Sequence, residues 1–93
     1  MSNFAEKAKR CHELIHEILL KEWDPICIGH VPQARDEYDS YVGHVYRLVA
    51  RRASRHEIFD YLWWAETQHM GLYGNRQRTE KIAERLVNLM ESY

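Results

Sequence analysis

The sequence lacks the features that mark several large classes of protein. With two cysteines in 93 residues, it has too few for a disulfide scaffold, and Cys11 falls on the apolar side of a helical pattern, where a reduced thiol fills a core. Its longest uninterrupted apolar run covers only a few residues, against about 20 for a membrane-spanning helix. No N-terminal segment has the apolar centre of a signal peptide. We therefore expect a cytoplasmic chain that does not enter a membrane.

An excess of charge of either sign is also absent. Thirteen lysines and arginines stand against fourteen aspartates and glutamates, which leaves a formal net charge of −1. Proteins that bind nucleic acids or membrane surfaces usually carry a basic excess, so we expect neither as a partner. The length and the hydrophobic content of 45% are typical of one globular domain, which we place at residues 1–93.

Four stretches of the chain repeat apolar residues with the 3.6-residue period of an amphipathic helix, and none alternates like a β-strand. Asp24-Pro25 ends the first helix, and Gly71 ends the third. Ser54 and Glu57 form a capping box at the start of the third helix. The sequence therefore predicts an all-α, single-domain four-helix bundle. Its helices are expected at about residues 3–23, 35–52, 55–70 and 76–92.

The connection over residues 24–34 is the only long one in the predicted bundle. It holds both prolines and one of the four glycines of the chain. It also carries an apolar patch, Ile26-Cys27-Ile28. Because these side chains should not be left in water, we expect an ordered segment that packs over one end of the bundle.

The segment His12-Glu13-Leu14-Ile15-His16 matches the H-E-x-x-H pattern. In zinc hydrolases this pattern places two imidazoles one helical turn apart, with the glutamate as general base. That chemistry also needs a third ligand and usually an edge strand for the substrate, and the sequence supplies neither. His12 and His16 fall on the border of the apolar face, alongside Trp23. We favour two exposed boundary histidines and keep the pair as weak candidates for a metal site.

Glu66 and His69 form the E-x-x-H pair that di-iron bundles use, on the predicted buried face of the third helix. Such sites need a second pair and a lone glutamate on each of the other two helices, and no second inward pair is present. We favour a buried Glu66 that is hydrogen-bonded to Tyr38, Tyr41 or a backbone donor, with His69 similarly satisfied. A mononuclear metal site that includes this pair is the alternative. No cofactor is expected.

A complete catalytic set is missing from the sequence. Ser40 and Ser54 occupy positions that solvent exposure or helix capping explains, and there is no strand-turn-helix elbow for a nucleophile. There is no glycine-rich loop to cradle a phosphate. We therefore expect a protein that is not an enzyme.

The third helix carries more large aromatic residues than one buried face can hold. Tyr61, Trp63 and Trp64 are spread around the helix, so they cannot all face the same core. Tryptophan and tyrosine dominate binding hot spots, which makes Trp63 and Trp64 candidate partner-binding residues. For Trp64, exposure to solvent and cover by the 24–34 connection are equally supported.

Three acidic residues at the start of the second helix, Asp36, Glu37 and Asp39, form another candidate surface. Asp36 and Glu37 lie in the predicted first turn, where negative charge suits the helix dipole. Tyr38 and Tyr41 turn inward beside them. An acidic patch with neighbouring tyrosines can engage a basic surface of a partner protein.

Three segments of the chain carry a resemblance to a known family: Trp23-Asp24-Pro25-Ile26, Asp36-Glu37-Tyr38-Asp39-Ser40-Tyr41 and Met70-Gly71-Leu72. Over about residues 20–72 they resemble a family of small bacterial all-helical proteins of unknown function. In that family a WDP element precedes a DEYDxY helix, and a later helix ends in MGL. The resemblance implies a helical fold and a bacterial, cytoplasmic origin, and it brings no activity. Relatives often have a short loop that begins with Ile-Gly, where this chain has Ile-Cys-Ile-Gly.

Small helical bacterial proteins without a catalytic set are often binding proteins, and this step is an analogy. We expect a non-enzymatic protein-binding module, most concretely an immunity-type inhibitor that binds and blocks a partner toxin. One alternative is a metal-binding helical protein that uses Glu66 and His69 or the pair His12 and His16. The other is a structural homodimer that forms through the third helix.

Overall fold

The computed structural model describes residues 2–91, with the side chains of residues 5–89 and 91. Within these limits the chain forms helices and turns and no strand. It has four α-helices, which we number α1 (Ser2–Glu17), α2 (Asp39–Ala50), α3 (Arg55–Trp64) and α4 (Arg76–Glu91). The prediction of an all-α chain with four helices is confirmed for this part of the chain. None of the described helices is both long and apolar enough to cross a membrane.

Two of the helices continue as π-helical turns. α1 runs on into Ile18–Trp23, which we call the first π segment, and α3 runs on into Ala65–His69, the second π segment. Hydrogen bonds that span five residues instead of four wind the chain by fewer degrees per residue. A count of 100° per residue therefore assigns side chains to the wrong faces once it passes residue 18 or residue 65.

This change of winding places two side chains on faces that the sequence does not predict. An α-helical count puts Trp23 at the edge of the apolar face, whereas the indole is completely buried. The same count puts His69 on the buried face, whereas its ring is exposed. Glu66, by contrast, is buried as predicted.

The second helix begins later than predicted, at Asp39 instead of residue 35. Residues 35–38 form successive tight turns. Tyr38, the last residue of these turns, is buried, and its hydroxyl donates a hydrogen bond of 2.8 Å to the Asp24 carboxylate. We attribute the late start to this long-range contact, which holds the backbone before Asp39 out of the helix.

The same helix ends at Ala50, two residues before its predicted end. Arg52 has a φ of 56°, in the left-handed region. Its N–H bonds to the carbonyl of Val49 at 3.0 Å, and the N–H of Ala53 bonds to the carbonyl of Leu48 at 2.9 Å. This pair of bonds is a Schellman motif, which ends the helix.

The ends of α3 and α4 follow signals that are local in the sequence. The Ser54 hydroxyl accepts the N–H of Glu57 at 3.1 Å, and the Glu57 carboxylate accepts the N–H of Ser54 at 3.4 Å, so the predicted capping box is confirmed. At α4, the Asn75 side-chain oxygen accepts the N–H of Arg78 at 3.0 Å. The predicted end of the fourth helix, residue 92, lies outside the described residues.

One hydrophobic cluster contains side chains from all four helices and from the first π segment. α3 packs along α4, α1 packs along α2, and the first π segment packs against α4. The fully buried apolar side chains larger than alanine are Ile15, Leu19, Leu20, Trp23, Val42, Val45, Ile58, Leu62 and Leu86. Each fully buried large apolar side chain contributes roughly 1.5–3 kcal/mol, so this cluster is the main source of stability.

The connection after the first π segment is ordered around the Asp24 carboxylate. This group accepts the N–H of Ile28 at 2.8 Å, the N–H of Gly29 at 2.9 Å and the Tyr38 hydroxyl. Gly29 packs so tightly that a Cβ atom there would lie 2.5 Å from the carbonyl oxygen of Leu20. The prediction of an ordered connection agrees with these contacts.

The apolar patch of this connection is not covered as the sequence predicts. Ile26 and Cys27 are exposed, and only Ile28 packs against the core. The N–H of Cys27 bonds to the Asp24 carbonyl at 3.1 Å, and Cys27 has a φ of 57°. Because the backbone turns tightly around Asp24, it directs these two side chains into solvent.

Candidate functional site

Glu66 is fully buried, and both of its carboxylate oxygens are hydrogen-bonded. Oε1 accepts from the Trp23 indole at 3.2 Å and from the Thr79 hydroxyl at 2.6 Å. Oε2 accepts from the backbone N–H of Asn75 at 2.6 Å and from the Arg78 guanidinium at 3.4 Å. The backbone donor agrees with the prediction, whereas the predicted tyrosine donors are replaced by tryptophan, threonine and arginine.

These contacts give Glu66 a structural role. They join the second π segment to the first π segment and to the start of α4. A carboxylate has about four acceptor sites, and four donors already engage Glu66. His69 is exposed and not buried, but its Nδ1 lies 3.4 Å from the Tyr41 hydroxyl, so the predicted tyrosine contact is made by His69 and not by Glu66.

The two histidines of the H-E-x-x-H pattern have different surroundings. The His12 side chain is exposed, with its ring centroid 5.7 Å from that of Tyr46. His16 Nε2 lies 2.8 Å from the carbonyl oxygen of Arg35, which accepts a hydrogen bond from it, and 3.4 Å from a carboxylate oxygen of Asp39. Within residues 2–91, no group of three or more His, Cys, Asp or Glu side chains is placed to hold a metal ion.

The three acidic candidates are exposed at and just before the start of α2. Asp39 contacts His16, as described above, so its charge is partly engaged within the chain. Asp36 and Glu37 lie in the turns that precede the helix. These residues remain accessible to a basic partner, and they do not line the groove described below.

Trp63 belongs to the fold and not to an open surface. Its ring stacks on Phe59, with centroids 5.8 Å apart and an interplanar angle of 14°, and the Arg76 guanidinium lies 6.0 Å from its centroid. The chain passes against the same indole at Gly74, where a Cβ atom would come within 2.8 Å of the ring. The structure therefore does not bring Trp63 and Trp64 to one binding surface.

Trp64 is 48% exposed and lies in a groove between α2 and α3. The groove has a volume of about 440 Å³. Five rings line it, and Ser40 and Arg47 complete the lining. The five rings belong to Tyr41, His44, Tyr61, Trp64 and His69. We call this surface the aromatic groove.

The rings of the aromatic groove hold one another in place. His44 stacks flat on Tyr61, with centroids 3.9 Å apart and planes 3° apart. Tyr61 lies 5.9 Å from Trp64, and Trp64 lies 5.3 Å from His69. His69 meets the edge of Tyr41 at 5.8 Å. Because the rings are already ordered, a ligand would lose little additional side-chain entropy on binding here.

Burial sets the protonation states in this groove. Burial raises the pKa of Tyr61 to about 12 and also raises the pKa of Tyr41. Burial, together with the charges of Arg47 and Arg51, lowers the pKa of His44 below its usual value. At neutral pH the two phenols are therefore protonated, His44 is uncharged, and Arg47 is the permanent charge in the lining.

The sequence identifies Trp64 as a candidate but does not identify the residues around it. His44 and Arg47 are three positions apart on α2, and Tyr61 and Trp64 are three positions apart on α3. Each spacing places two side chains on one face of a helix. The sequence does not show that these two faces meet. Their contact depends on how α2 and α3 are rotated about their axes in the fold.

The motif residues behind the family resemblance have structural explanations. Trp23 donates to Glu66, and Asp24 orders the connection that follows it. The Tyr38 hydroxyl bonds to that same Asp24 carboxylate. Gly71, with a φ of 73°, lies just past the second π segment in a conformation that favours glycine. In this chain these residues hold the fold together.

Comparisons of the chain with protein-family models, with curated proteins and with solved structures find no match. The resemblance to a family of small bacterial helical proteins therefore stays a prediction. Any functional conclusion has to rest on the geometry of the chain itself, and above all on the aromatic groove.

Proposed function

We propose that this chain is a non-enzymatic protein-binding module that holds its partner against the aromatic groove, with Trp64 as the central anchor. The observation that carries the proposal is a tryptophan that is 48% exposed among rings that are already ordered. A tryptophan in such a position offers a large rigid surface at a low entropic cost. Replacing such an anchor by alanine typically costs 2 kcal/mol or more of binding free energy.

Exposure alone does not single out Trp64, because Ile26 and Tyr73 are also large apolar side chains on the surface. Neither of them lines the aromatic groove. Isolated exposed apolar side chains are common on protein surfaces and need no functional explanation. Trp64 differs because it stands between the rings of Tyr61 and His69.

The scaffold that we propose for this groove is a single-domain four-helix bundle over residues 1–93. The pairing of α1 with α2 and of α3 with α4 supports it, as does a hydrophobic cluster shared by all four helices. The absence of an enzymatic role is part of the same proposal. Glu66 and His16, two residues with catalytic chemistry, are engaged by donors and acceptors of the fold.

The most concrete form of the proposal is an immunity-type inhibitor that binds a toxin domain in the bacterial cytoplasm and blocks it. Such a protein needs a stable scaffold and an exposed anchor but no catalytic group. The exposed acidic side chains of Asp36, Glu37 and Asp39 offer a second contact for basic groups of that partner.

Site-specific photo-crosslinking in the source cells tests the proposal. A benzophenone amino acid is placed at position 64 in one variant and at position 73, a fully exposed aromatic position outside the groove, in the other. We expect one protein to crosslink from position 64 and not from position 73. Crosslinking of the same proteins from both positions, or of none from position 64, would contradict the proposal.

A growth assay tests the toxin-immunity form separately. The protein captured at position 64 is expressed alone and together with the chain. We expect it to arrest growth alone, wild-type chain to restore growth, and Trp64→Ala to restore it poorly at equal expression. A captured protein without toxicity would remove the immunity role and leave the binding role in place.

A further inference from the structure

We infer that the aromatic groove selects an acidic segment of the partner protein, with a carboxylate at Arg47 and an aromatic or apolar side chain on Trp64. This inference rests on the proposed function, because it names the chemistry of the partner at the same surface. It follows from the charges and hydrogen-bond donors that line the groove.

The first observation is that the groove carries a cation and no anion. Arg47 is the only charged side chain of fixed sign in the lining, and no carboxylate is among the lining residues. Within the described part of the chain, Arg47 also has no carboxylate within ion-pair distance. Some exposed arginines do have such a partner: Arg51 and Arg76 each lie about 3 Å from a glutamate oxygen.

The second observation concerns the two acidic residues that directly precede lining residues in the sequence. Asp60 precedes Tyr61, and its carboxylate lies 3.1 Å from the His56 ring. Asp39 precedes Ser40, and its carboxylate lies 3.4 Å from the His16 ring. Because both carboxylates are directed to histidines outside the groove, neither neutralises Arg47.

The third observation is the supply of donors around the exposed indole. Ser40, His44 and Tyr61, whose side chains carry hydrogen-bonding groups, line the groove together with Trp64. A protonated phenol donates a hydrogen bond readily to a carboxylate, and a guanidinium binds a carboxylate with two parallel bonds. The flat face of Trp64 beside these groups suits an aromatic or apolar neighbour of that carboxylate.

Two other occupants fit these observations less well. If two copies of the chain met groove to groove about a two-fold axis, Arg47 of one copy would lie near Arg47 of the other, and no carboxylate in the groove would neutralise them. A single-stranded nucleic acid would stack on the rings, but one arginine offers little for a phosphate backbone, and the net charge is −1.

Titration with short capped peptides tests the inference on the intact chain. In one peptide glutamates flank a single phenylalanine on both sides, in the second lysines flank it, and in the third glutamates flank a glycine. Binding is followed by NMR through the indole N–H signal of Trp64, assigned by its loss in Trp64→Phe. We expect the glutamate–phenylalanine peptide to bind at least about tenfold more tightly than either of the others.

Two substitutions that each remove one positive charge test whether Arg47 causes this preference. Arg47→Gln should reduce the affinity for the glutamate–phenylalanine peptide about tenfold. Because Arg47 is exposed, the circular dichroism spectrum of the variant should stay the same as that of the wild type. Arg10→Gln removes one exposed positive charge from α1 and should change the affinity less than about twofold, because that charge is screened. Equal losses in the two variants would overturn the inference.

The remaining outcomes separate this inference from the proposed function. Equal or tighter binding of the lysine peptide, or no shift of the Trp64 signal with any peptide, overturns the acidic-segment inference. If position 64 still crosslinks to one protein, the proposed function stands without it. Tighter binding of an oligothymidylate, lost in Arg47→Gln, would instead assign the groove to single-stranded nucleic acid and overturn both.

Discussion

Trp64 and Glu66 are two positions apart in the sequence and have opposite environments. Trp64 is 48% exposed in the aromatic groove, while Glu66 is fully buried and bonded to the first π segment and to the start of α4. In the proposed function, binding and stability therefore depend on different residues that are close together in the sequence. We therefore expect a substitution at either position to leave the contacts of the other position in place.

Glu66→Gln tests the role of the buried carboxylate. The amide keeps the shape of the side chain but turns one acceptor into a donor that faces other donors. Hydrogen bonds to a charged group contribute about 1.5–3 kcal/mol each, so we expect the free energy of unfolding to fall by about 3 kcal/mol. Urea unfolding followed by circular dichroism measures it.

Glu84→Gln, on the exposed side of α4, is the matched control for this substitution. It should change the free energy of unfolding by less than about 0.5 kcal/mol. If the two variants are equally stable, the hydrogen bonds of Glu66 do not contribute to the stability of the fold.

Tyr61 should give the chain an alkaline signature. Burial, followed by the proximity of Tyr41, raises its pKa to about 12, whereas a tyrosine in an unfolded chain titrates near pH 10. Because the folded-state pKa is the higher one, the stability contributed by the neutral phenol is complete below about pH 10 and is lost as the pH rises through about 12.

Thermal unfolding at increasing alkaline pH checks this expectation. The melting temperature of Tyr61→Phe should fall less steeply than that of the wild type above about pH 10. Tyr73→Phe, at an exposed position, should follow the wild type. Identical slopes for Tyr61→Phe and the wild type would contradict the assigned environment.

Among the elements, the end of α2 carries a residue in an unfavourable conformation. Arg52 has a φ of 56° at the position of the Schellman motif that glycine usually fills. A residue with a side chain costs roughly 1–2 kcal/mol of folding free energy in this conformation, and glycine avoids that cost. The greater flexibility of glycine in the unfolded chain offsets part of the stability that the replacement gains. We expect Arg52→Gly to raise the free energy of unfolding by about 0.5–1 kcal/mol.

The control for this prediction is Ala50→Gly, at the exposed last residue of the same helix, which should lower the free energy of unfolding by up to about 1 kcal/mol. Chemical denaturation of both variants under the same conditions gives the comparison. A loss of stability in Arg52→Gly would show that the helix does not end in the left-handed turn described for it.

The helices themselves could be predicted wherever their signals are local. The capping box of Ser54 and Glu57 identifies the start of α3, and it forms as predicted. The two π segments could not be predicted, because their winding depends on which side chains pack against the neighbouring helices. For this reason a count of 100° per residue places Trp23 and His69 in the wrong environments, and it does not reveal Trp23 as a hydrogen-bond partner of Glu66.

The candidate site could be predicted only in part. The surplus of aromatic residues on α3 identified Trp63 and Trp64, but it could not tell which of them the fold covers. Gly74 closes over Trp63, and that contact joins residues 11 positions apart through a loop. The partners of Trp64 in the groove come from both α2 and α3, so only the assembled fold brings them together.

Across the molecule, the charged side chains are unevenly distributed although the net charge is close to zero. The aromatic groove is lined by Arg47 without a carboxylate, whereas Asp36 and Glu37 are exposed before α2. A partner of mixed charge could therefore meet both surfaces. A chain that meets itself at the groove could not neutralise Arg47.

We therefore expect the isolated chain to be a monomer. A two-fold contact through the groove would place like charges near each other, which disfavours association. Multi-angle light scattering at high protein concentration should give the mass of one chain. A dimer that Trp64→Ala dissociates would assign α3 to self-association and would contradict this prediction.

Trp64 in the aromatic groove is proposed to anchor a protein partner. Calorimetric titration of the partner identified by crosslinking, purified on its own, with wild-type chain, Trp64→Ala and Tyr73→Ala tests this role. We expect Trp64→Ala to weaken binding at least about 30-fold, equivalent to about 2 kcal/mol, and Tyr73→Ala to change it less than about twofold. Wild-type affinity in Trp64→Ala, or equal losses in both variants, would contradict the claim.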